Sequence, residues 1–112
     1  MTAEKTRIHS EALPVAGRVE VRHEAEQNRY TVLLNERSVG LADYVTTASA
    51  VHFTHTEVNP DERQHGLASI LVEQALNDVR EHTNLAVVPD CSYVARWIDR
   101  HEDFQNLLTR GQ

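Results

Sequence analysis

The stretch Thr56-Glu-Val-Asn-Pro-Asp-Glu-Arg-Gln-His-Gly-Leu-Ala-Ser69 joins the end of a predicted strand to the start of a predicted helix. Backbone N–H groups at a helix N-terminus have no partner within the helix, and the aligned peptide dipoles add a partial positive charge. A phosphate is therefore stabilised at such a junction, and Gly66 would let it approach the backbone closely. Arg63, Gly66 and Ala68 alone would also suit an ordinary helix start. The surrounding sequence is therefore needed to distinguish a phosphate site from such a start.

Three segments after Gly17 show the alternation of apolar and polar residues that is typical of half-buried strands. They are centred on Val19 and Val21, on Tyr30 to Leu34 and on Val39 to Thr47. Asn35–Ser38 is the predicted turn between the second and third segments, and Gly40 is expected at a bulge or a close backbone contact. These segments predict an antiparallel meander.

A fourth strand is predicted from Val51 to Val58. In a regular strand, side chains alternate between the two faces, so Val51, Phe53, His55 and Glu57 would lie on one face. That face would be apolar at its start and polar at its end.

The remainder of the chain predicts two helices, a strand and a final helical piece. Apolar residues at three- and four-residue steps predict a helix that ends near Glu81. Leu85–Val88 is a short apolar run typical of a covered strand, and Pro89 is expected to terminate it. Ser92 is the predicted N-cap of the second helix, and Asp103 that of a final piece. The apolar stripe expected on the second helix is Val94, Trp97 and Ile98. That expected on the final piece is Phe104, Leu107 and Leu108.

A strand, helix and strand in succession imply a right-handed crossover to a parallel fifth strand. We therefore predict an α+β fold with a mixed sheet: four antiparallel strands, a helix, a parallel fifth strand and C-terminal helices. Residues 17–112 are the predicted single domain, and residues 1–16, which are polar and lack periodicity, are a predicted flexible leader.

The bulk composition narrows the classes of partner. The 112 residues suffice for one domain, and 11 Lys and Arg against 17 Asp and Glu give a formal net charge of −6. This charge argues against a general nucleic-acid binder. One cysteine excludes an internal disulfide, and the lack of a secretory signal favours a cytoplasmic protein. No apolar run approaches the roughly 20 residues that cross a bilayer, so no membrane partner is expected.

Arg63-Gln-His-Gly-Leu-Ala68, after a strand that ends at Thr56-Glu-Val58, resembles the acetyl-CoA loop of the GNAT superfamily of N-acetyltransferases. The pattern of that loop is Gln or Arg, two residues, Gly, one residue, and Gly or Ala. Further segments resemble a small subgroup of minimal family members: His55-Thr-Glu-Val58, Val88-Pro-Asp-Cys91, Tyr93-Val94 and Arg100-His101. The resemblance extends from about Arg18 to Leu108.

The resemblance implies a sheet that splays apart between the fourth and fifth strands, with acetyl-CoA in the gap. The pyrophosphate would lie on backbone N–H groups of the loop, and the pantetheine arm would pair with backbone near Glu57 and Val58. The residues implied for this binding are Val58, Arg63, Gln64, His65, Gly66, Leu67, Ala68 and Ser69.

Amine acetylation requires a neutral amine, donors for the developing oxyanion and a proton source for the departing thiolate. Glu57 is the candidate base, directly or through a water. His55 would lie on the same face at about 6.6 Å by the strand rise and could share a water relay with it. The resemblance implies the backbone N–H of Val58 as oxyanion donor. Purely structural roles for His55 and Glu57 are the alternative.

Two further residues are candidates near the start of the second helix. Tyr93 could protonate the thiolate, or it could be a packing tyrosine. Cys91 could accept the acetyl group as a thiolate stabilised by the helix N-terminus, or it could be a small buried hydrophobe. The chain also has seven histidines, but their spacing indicates no metal site, since His52 and His55 would face opposite sides of a regular strand.

The leading functional hypothesis is an acetyl-CoA-dependent N-acetyltransferase that acts on a primary amine. The alternative is a module that binds CoA or acetyl-CoA without catalysis. Ordinary family members place helices between the first two strands, and Val21 to Tyr30 leaves no room for them. The acceptor site is therefore expected to be open, or completed by a second copy in a homo-oligomer. The sequence identifies neither the acceptor nor the pathway. It also does not distinguish direct transfer from transfer through an acetyl-cysteine intermediate.

Overall fold

The computed structural model describes residues 17–61 and 66–110. The predicted leader at 1–16 and the predicted phosphate-loop residues Arg63, Gln64 and His65 lie outside these ranges.

The described chain forms five strands, two α-helices and two short 3₁₀-helices. In chain order the elements are β1 (Val19–Glu24), a 3₁₀-helix (Ala25–Gln27), β2 (Arg29–Leu34), β3 (Arg37–Thr46), β4 (Ala50–Val58), α1 (Leu67–His82), β5 (Ala86–Pro89), α2 (Ser92–Asp99) and a C-terminal 3₁₀-helix (Glu102–Thr109). The strands lie in one sheet in the order β1-β2-β3-β4-β5. The first four strands are antiparallel, and β5 is parallel to β4. The predicted α+β fold with a mixed sheet is therefore confirmed.

Short connections join the first three strands. Between β1 and β2 the chain makes only the 3₁₀-helix Ala25–Gln27, so no α-helix lies there, as the sequence predicts. Asn35 and Glu36 join β2 to β3 with φ angles of 53° and 70°. Left-handed backbone at both central residues is typical of the type I′ hairpin turn, whose twist matches that of the flanking strands.

One hydrophobic core lies between the sheet and the helices. The buried side chains of α1 are Leu67, Leu71, Val72, Ala75, Leu76 and Val79. They join Val94, Trp97 and Ile98 of α2 and Phe104 and Leu107 of the C-terminal 3₁₀-helix in a single cluster. The predicted apolar stripes are confirmed except for Leu108, which is exposed.

The predicted caps of the two C-terminal elements are wrong. Cys91, not Ser92, is the N-cap of α2, and His101, not Asp103, precedes the 3₁₀-helix. Neither N-cap residue makes a side-chain capping hydrogen bond. The cap preference of Ser and Asp is a local tendency, and here each of these residues lies inside the helix that it is predicted to cap, within two residues of its start.

Candidate functional site

The junction at the start of α1 has the geometry of an anion site. Gly66 is the N-cap of α1 with a left-handed φ of 73°. Among the described residues no side chain caps this end, and no acidic residue lies in the first turn. Apart from its two chain neighbours, a Cβ built on Gly66 would have no heavy atom of the described residues within 4 Å, so that part of the chain leaves the space above the backbone open. These residues fit an anionic phosphate group, because the first-turn N–H groups and the helix dipole favour negative charge.

The residues after Gly66 contribute backbone rather than side chains to this junction. Leu67 is fully buried in the core, and Ala68 and Ser69 are partly buried. The hydroxyl of Ser69 accepts a hydrogen bond of 2.8 Å from Trp97 Nε1. This bond ties the first turn of α1 to α2 and gives the junction a fixed position.

The sheet opens between β4 and β5. Pairing of the two strands runs from Ala50 opposite Ala86 to Phe53 opposite Pro89 and ends there. The backbone of Cys91 then donates to the carbonyl of Phe53 at 2.8 Å. On its other edge, β4 stays paired with β3 as far as Val58. Because backbone groups in a strand point alternately to both edges, Thr54–Glu57 presents peptide groups to a gap that β5 does not fill. This pairing agrees with the splayed sheet that the resemblance implies.

A β-bulge at Thr54 changes which side chains of β4 share a face. Tyr44 of β3 lies opposite Phe53, but the neighbouring β3 residue, Asp43, lies opposite His55, so no β3 residue lies directly opposite Thr54. Such an extra residue shifts the alternation by one. Phe53 and Val58 are buried in the core, whereas His55 and Glu57 are exposed.

Because of this bulge, two predictions about which β4 side chains share a face of the sheet are wrong. His55 and Glu57 share a face with each other, as expected, but not with Val51 and Phe53. Likewise His52, which precedes the bulge, comes onto the same face as His55 rather than the opposite one.

His55 and Glu57 form a solvent-exposed pair. Nε2 of His55 lies 2.9 Å from Oε1 of Glu57, and 56% and 61% of the two side chains are exposed. The carboxylate can accept a proton that the imidazole donates, so the pair has the composition of an acid–base relay. An exposed ion pair of this kind contributes little to stability.

Cys91 lies on the other face, beside the gap. Its thiol is 3.5 Å from the hydroxyl of Thr56. Burial acts to raise the pKa of the Cys91 thiol, but hydrogen bonds to the Thr56 hydroxyl and to the backbone of Val94, Tyr93 and Thr56 outweigh it, and the pKa is lowered. A lowered pKa increases the thiolate fraction at neutral pH, which is the nucleophilic form.

Tyr93 lies in the first turn of α2 and is partly buried. Burial raises the pKa of its hydroxyl, and the charges of Arg100 and Arg96 oppose that shift in part. The hydroxyl therefore stays protonated at neutral pH and can donate. Cys91 and Tyr93 thus flank the N-terminus of α2, whereas the His55–Glu57 pair lies on the opposite face of β4.

Sequence analysis missed Thr56 as a partner of Cys91. Assuming regular alternation from Val51 placed Thr56 on the wrong face. Counting backwards from Val58, an apolar residue at the end of the strand, would have placed Thr56 on the core side.

Across residues 17–61 and 66–110, no three His, Cys, Asp or Glu side chains are grouped so as to hold a metal ion. In the same part of the chain, no helix is long and apolar enough to span a membrane.

Comparison with known proteins identifies a family to which the chain is similar. A family model described as GCN5-related N-acetyl-transferase matches residues 29–107. The matched region runs from the start of β2 into the C-terminal 3₁₀-helix, so it includes both the Gly66 junction and the gap between β4 and β5. No curated protein matches the chain.

Proposed function

Because the chain belongs to the GCN5-related N-acetyltransferase family, we propose that it transfers an acetyl group from acetyl-CoA to a primary amine. Membership of this family indicates acyltransferase activity. The observation that carries the finer proposal is the loss of β4–β5 pairing after Phe53, on the strand that leads to the uncapped end of α1. One elongated ligand with an anionic end and amide groups would satisfy both features, and CoA has this chemistry.

In this proposal the backbone does most of the binding. The N–H groups from Gly66 to Ser69 hold the pyrophosphate, together with Arg63, Gln64 and His65 of the loop. The amides of the pantetheine arm pair with the edge of β4 near Val58, as an added strand would. This arrangement directs the thioester towards the gap that begins beside Cys91.

Cys91 and Tyr93 are our candidates for the reacting end, because they lie at that gap. In direct transfer, the amine nitrogen attacks the thioester carbonyl, the C–S bond breaks, and Tyr93 donates a proton to the CoA thiolate. In the two-step route, the Cys91 thiolate attacks first and forms an acetyl-cysteine, and the amine then attacks that thioester and regenerates the thiol. Both routes release one CoA thiol for each amide formed.

His55 and Glu57 are our candidates for removing the proton from the acceptor amine. Their contact of 2.9 Å supports a relay in which Glu57 takes the proton through His55 or a water. Since both side chains are exposed, this role requires the acceptor to enter from the open face of the sheet.

A non-catalytic CoA-binding module is the second candidate. The separation of the His55–Glu57 pair from Cys91 by the thickness of β4 favours it, since binding needs no proton relay. Such a protein would bind CoA and acetyl-CoA with similar affinity and release no thiol with any amine.

Calorimetry with acetyl-CoA, followed by a thiol-release screen over primary amines, separates the two candidates. We expect binding, and thiol release with at least one class of amine. Binding without release across the screen would support the module instead. Absence of binding by either CoA or acetyl-CoA would contradict both.

A further inference from the structure

A second group of titratable side chains surrounds the end of α1 away from Gly66. Asp78 accepts a 2.6 Å hydrogen bond from the hydroxyl of Tyr30. Its carboxylate also lies 3.4 Å from Nδ1 of His23 and 2.9 Å from Nδ1 of His82. The other ring nitrogen of His23 is 2.6 Å from the hydroxyl of Tyr44. One carboxylate therefore organises side chains from β1, β2, β3 and α1.

These side chains line a cleft. Its volume is about 410 Å³, and its walls include His23, Tyr30, Tyr44, Asp78 and His82. A volume of this size suits a small organic ligand. Asp78 is twelve residues beyond Gly66, which corresponds to roughly 18 Å along a helix that rises about 1.5 Å per residue. The cleft is thus separate from the proposed acetyl-CoA site.

The ionisable side chains that line the cleft and its extension are carboxylates, tyrosines and the histidines His23 and His82. Asp78 and Glu81 line the cleft or its extension, and among the described lining residues there is no Lys or Arg. Arg110, which donates to the carbonyl oxygens of Arg80 and Thr83 at this end of α1, is not a lining residue. The electrostatic field in the cleft therefore favours a cation.

The rings and the carboxylate are held in fixed positions. His23 stacks on Tyr30 with the ring centroids 4.2 Å apart, and Tyr30 contacts Tyr44 at 5.5 Å between centroids. Tyr30 and His23 both face Oδ2 of Asp78, and His82 faces Oδ1. Since each carboxylate oxygen accepts two hydrogen bonds, Oδ1 keeps one acceptor position. A carboxylate oxygen with an acceptor position left is a group to which an ammonium ion can donate a charge-assisted hydrogen bond.

We propose that the cleft between α1 and the β1–β3 strands binds a small primary alkylammonium ion. The ammonium group donates to the remaining acceptor position of Asp78, and its alkyl chain packs on the apolar floor formed by Val51, Val79 and Leu85. This site is independent of the proposed acetyl transfer, because it requires no acetyl-CoA.

Calorimetric titration of the full chain with 1,4-diaminobutane, at pH 8 and low salt without acetyl-CoA, tests this proposal. We expect binding that weakens at least about tenfold in Asp78→Asn, which keeps the size of the side chain but removes its charge. Asp99→Asn is the matched control, because Asp99 is exposed at the end of α2, and it should bind as the wild type does.

Glu81→Gln tests the same proposal with a variant that does not depend on whether Asp78→Asn folds. Glu81 is exposed and lines the extension of the cleft without belonging to the Asp78 network, so this substitution should weaken binding several-fold while leaving the fold intact. Backbone amide NMR of the same titration should show shifts around His23 and His82 rather than around Gly66. The proposal is overturned if the wild type shows no binding at millimolar amine, if neither variant weakens binding, or if the shifts centre on Gly66.

Discussion

Gly66 has a left-handed backbone that few other residues adopt without strain, and an added Cβ there would have no described heavy atom within 4 Å apart from those of its chain neighbours. A substitution there therefore reports on what occupies the adjacent space. Cys91 is the other informative single residue, because its thiol combines partial burial with hydrogen bonds that favour the thiolate.

Gly66→Glu is expected to weaken acetyl-CoA binding by at least about tenfold, since it places a negative charge and a side chain where the pyrophosphate would lie. Gly66→Asn is the matched variant, because Asn tolerates the left-handed conformation and adds no charge. Calorimetry should rank the affinities as wild type, then Asn, then Glu. Equal affinity for all three proteins would remove Gly66 from the binding site.

Alkylation of Cys91 by iodoacetamide should reach half its maximal rate at a pH below that of a free cysteine, because the pKa of the thiol is lowered. Thr56→Val removes one of the hydrogen bonds that lower it, so this midpoint should move to higher pH. Thr109→Val, at an exposed position remote from Cys91, serves as the control. A midpoint unchanged by Thr56→Val would mean that the hydroxyl does not stabilise the thiolate.

At the scale of residues, the sequence identified the candidate site residues but not all of the contacts that they make. Cys91 and Tyr93 could be placed near the start of α2 because strand, turn and helix signals converge there. Thr56 could be placed on the core side only by counting backwards from Val58, since no residue preference in Phe53-Thr-His55 reveals the bulge that shifts the alternation.

The element that matters most for the site is β4. Its first part pairs with both β3 and β5, whereas in its second part the described sheet pairing continues with β3 after that with β5 has ended. The bulge at Thr54 lies at the change between these two parts. Just beyond it, Gly40 of β3 allows β4 to pass closely, because a Cβ there would lie 2.8 Å from the carbonyl oxygen of Glu57.

Gly40→Ala is therefore expected to lower the free energy of unfolding by about 1–3 kcal/mol, as overpacking of a filled interior does. The added methyl would press on the backbone of Glu57 and on the side chain of Val58. Ser38→Ala, at an exposed position of the same strand, should change stability little. Urea unfolding measures both, and equal stability of the two variants would show that β4 has room to move.

At the scale of elements, the order of strands and helices was predictable because each has a strong periodic pattern and clear turn residues between them. The predicted bounds differ from the observed ones by a few residues, as at β5, which ends at Pro89 rather than Val88. The bulge and the end of β4–β5 pairing depend on contacts between strands far apart in sequence, which local patterns do not encode.

Across the whole molecule, Asp78 joins α1 to the first three strands. Burial, and then the hydrogen bond to Asp78, raise the pKa of Tyr30 well above its usual range. An acid whose pKa is raised on folding stabilises the fold while it is protonated. That contribution is fully present below pH 10.0, the ordinary pKa of tyrosine, and is lost as the pH rises further.

Tyr30→Phe should cost about 1–2 kcal/mol at pH 7, because it removes a hydrogen bond to a partly exposed carboxylate. Above pH 10.0 the wild type also loses stability through Tyr30, whereas the variant does not, so the gap between the two proteins should narrow. Urea unfolding at several pH values from 7 to about 11 follows this gap. A gap that stays constant would mean that Tyr30 ionises as easily in the fold as in the unfolded chain.

The central claim is that acetyl-CoA lies in the gap between β4 and β5 with its pyrophosphate on the N-terminus of α1. A crystal structure of the complex with CoA tests it most directly. We predict the pyrophosphate within hydrogen-bond distance of the N–H groups from Gly66 to Ser69, the pantetheine arm along Thr54–Val58, and the CoA sulfur nearer to Cys91 than to His55. CoA bound elsewhere, or a pantetheine arm that makes no contact with β4, would contradict the account.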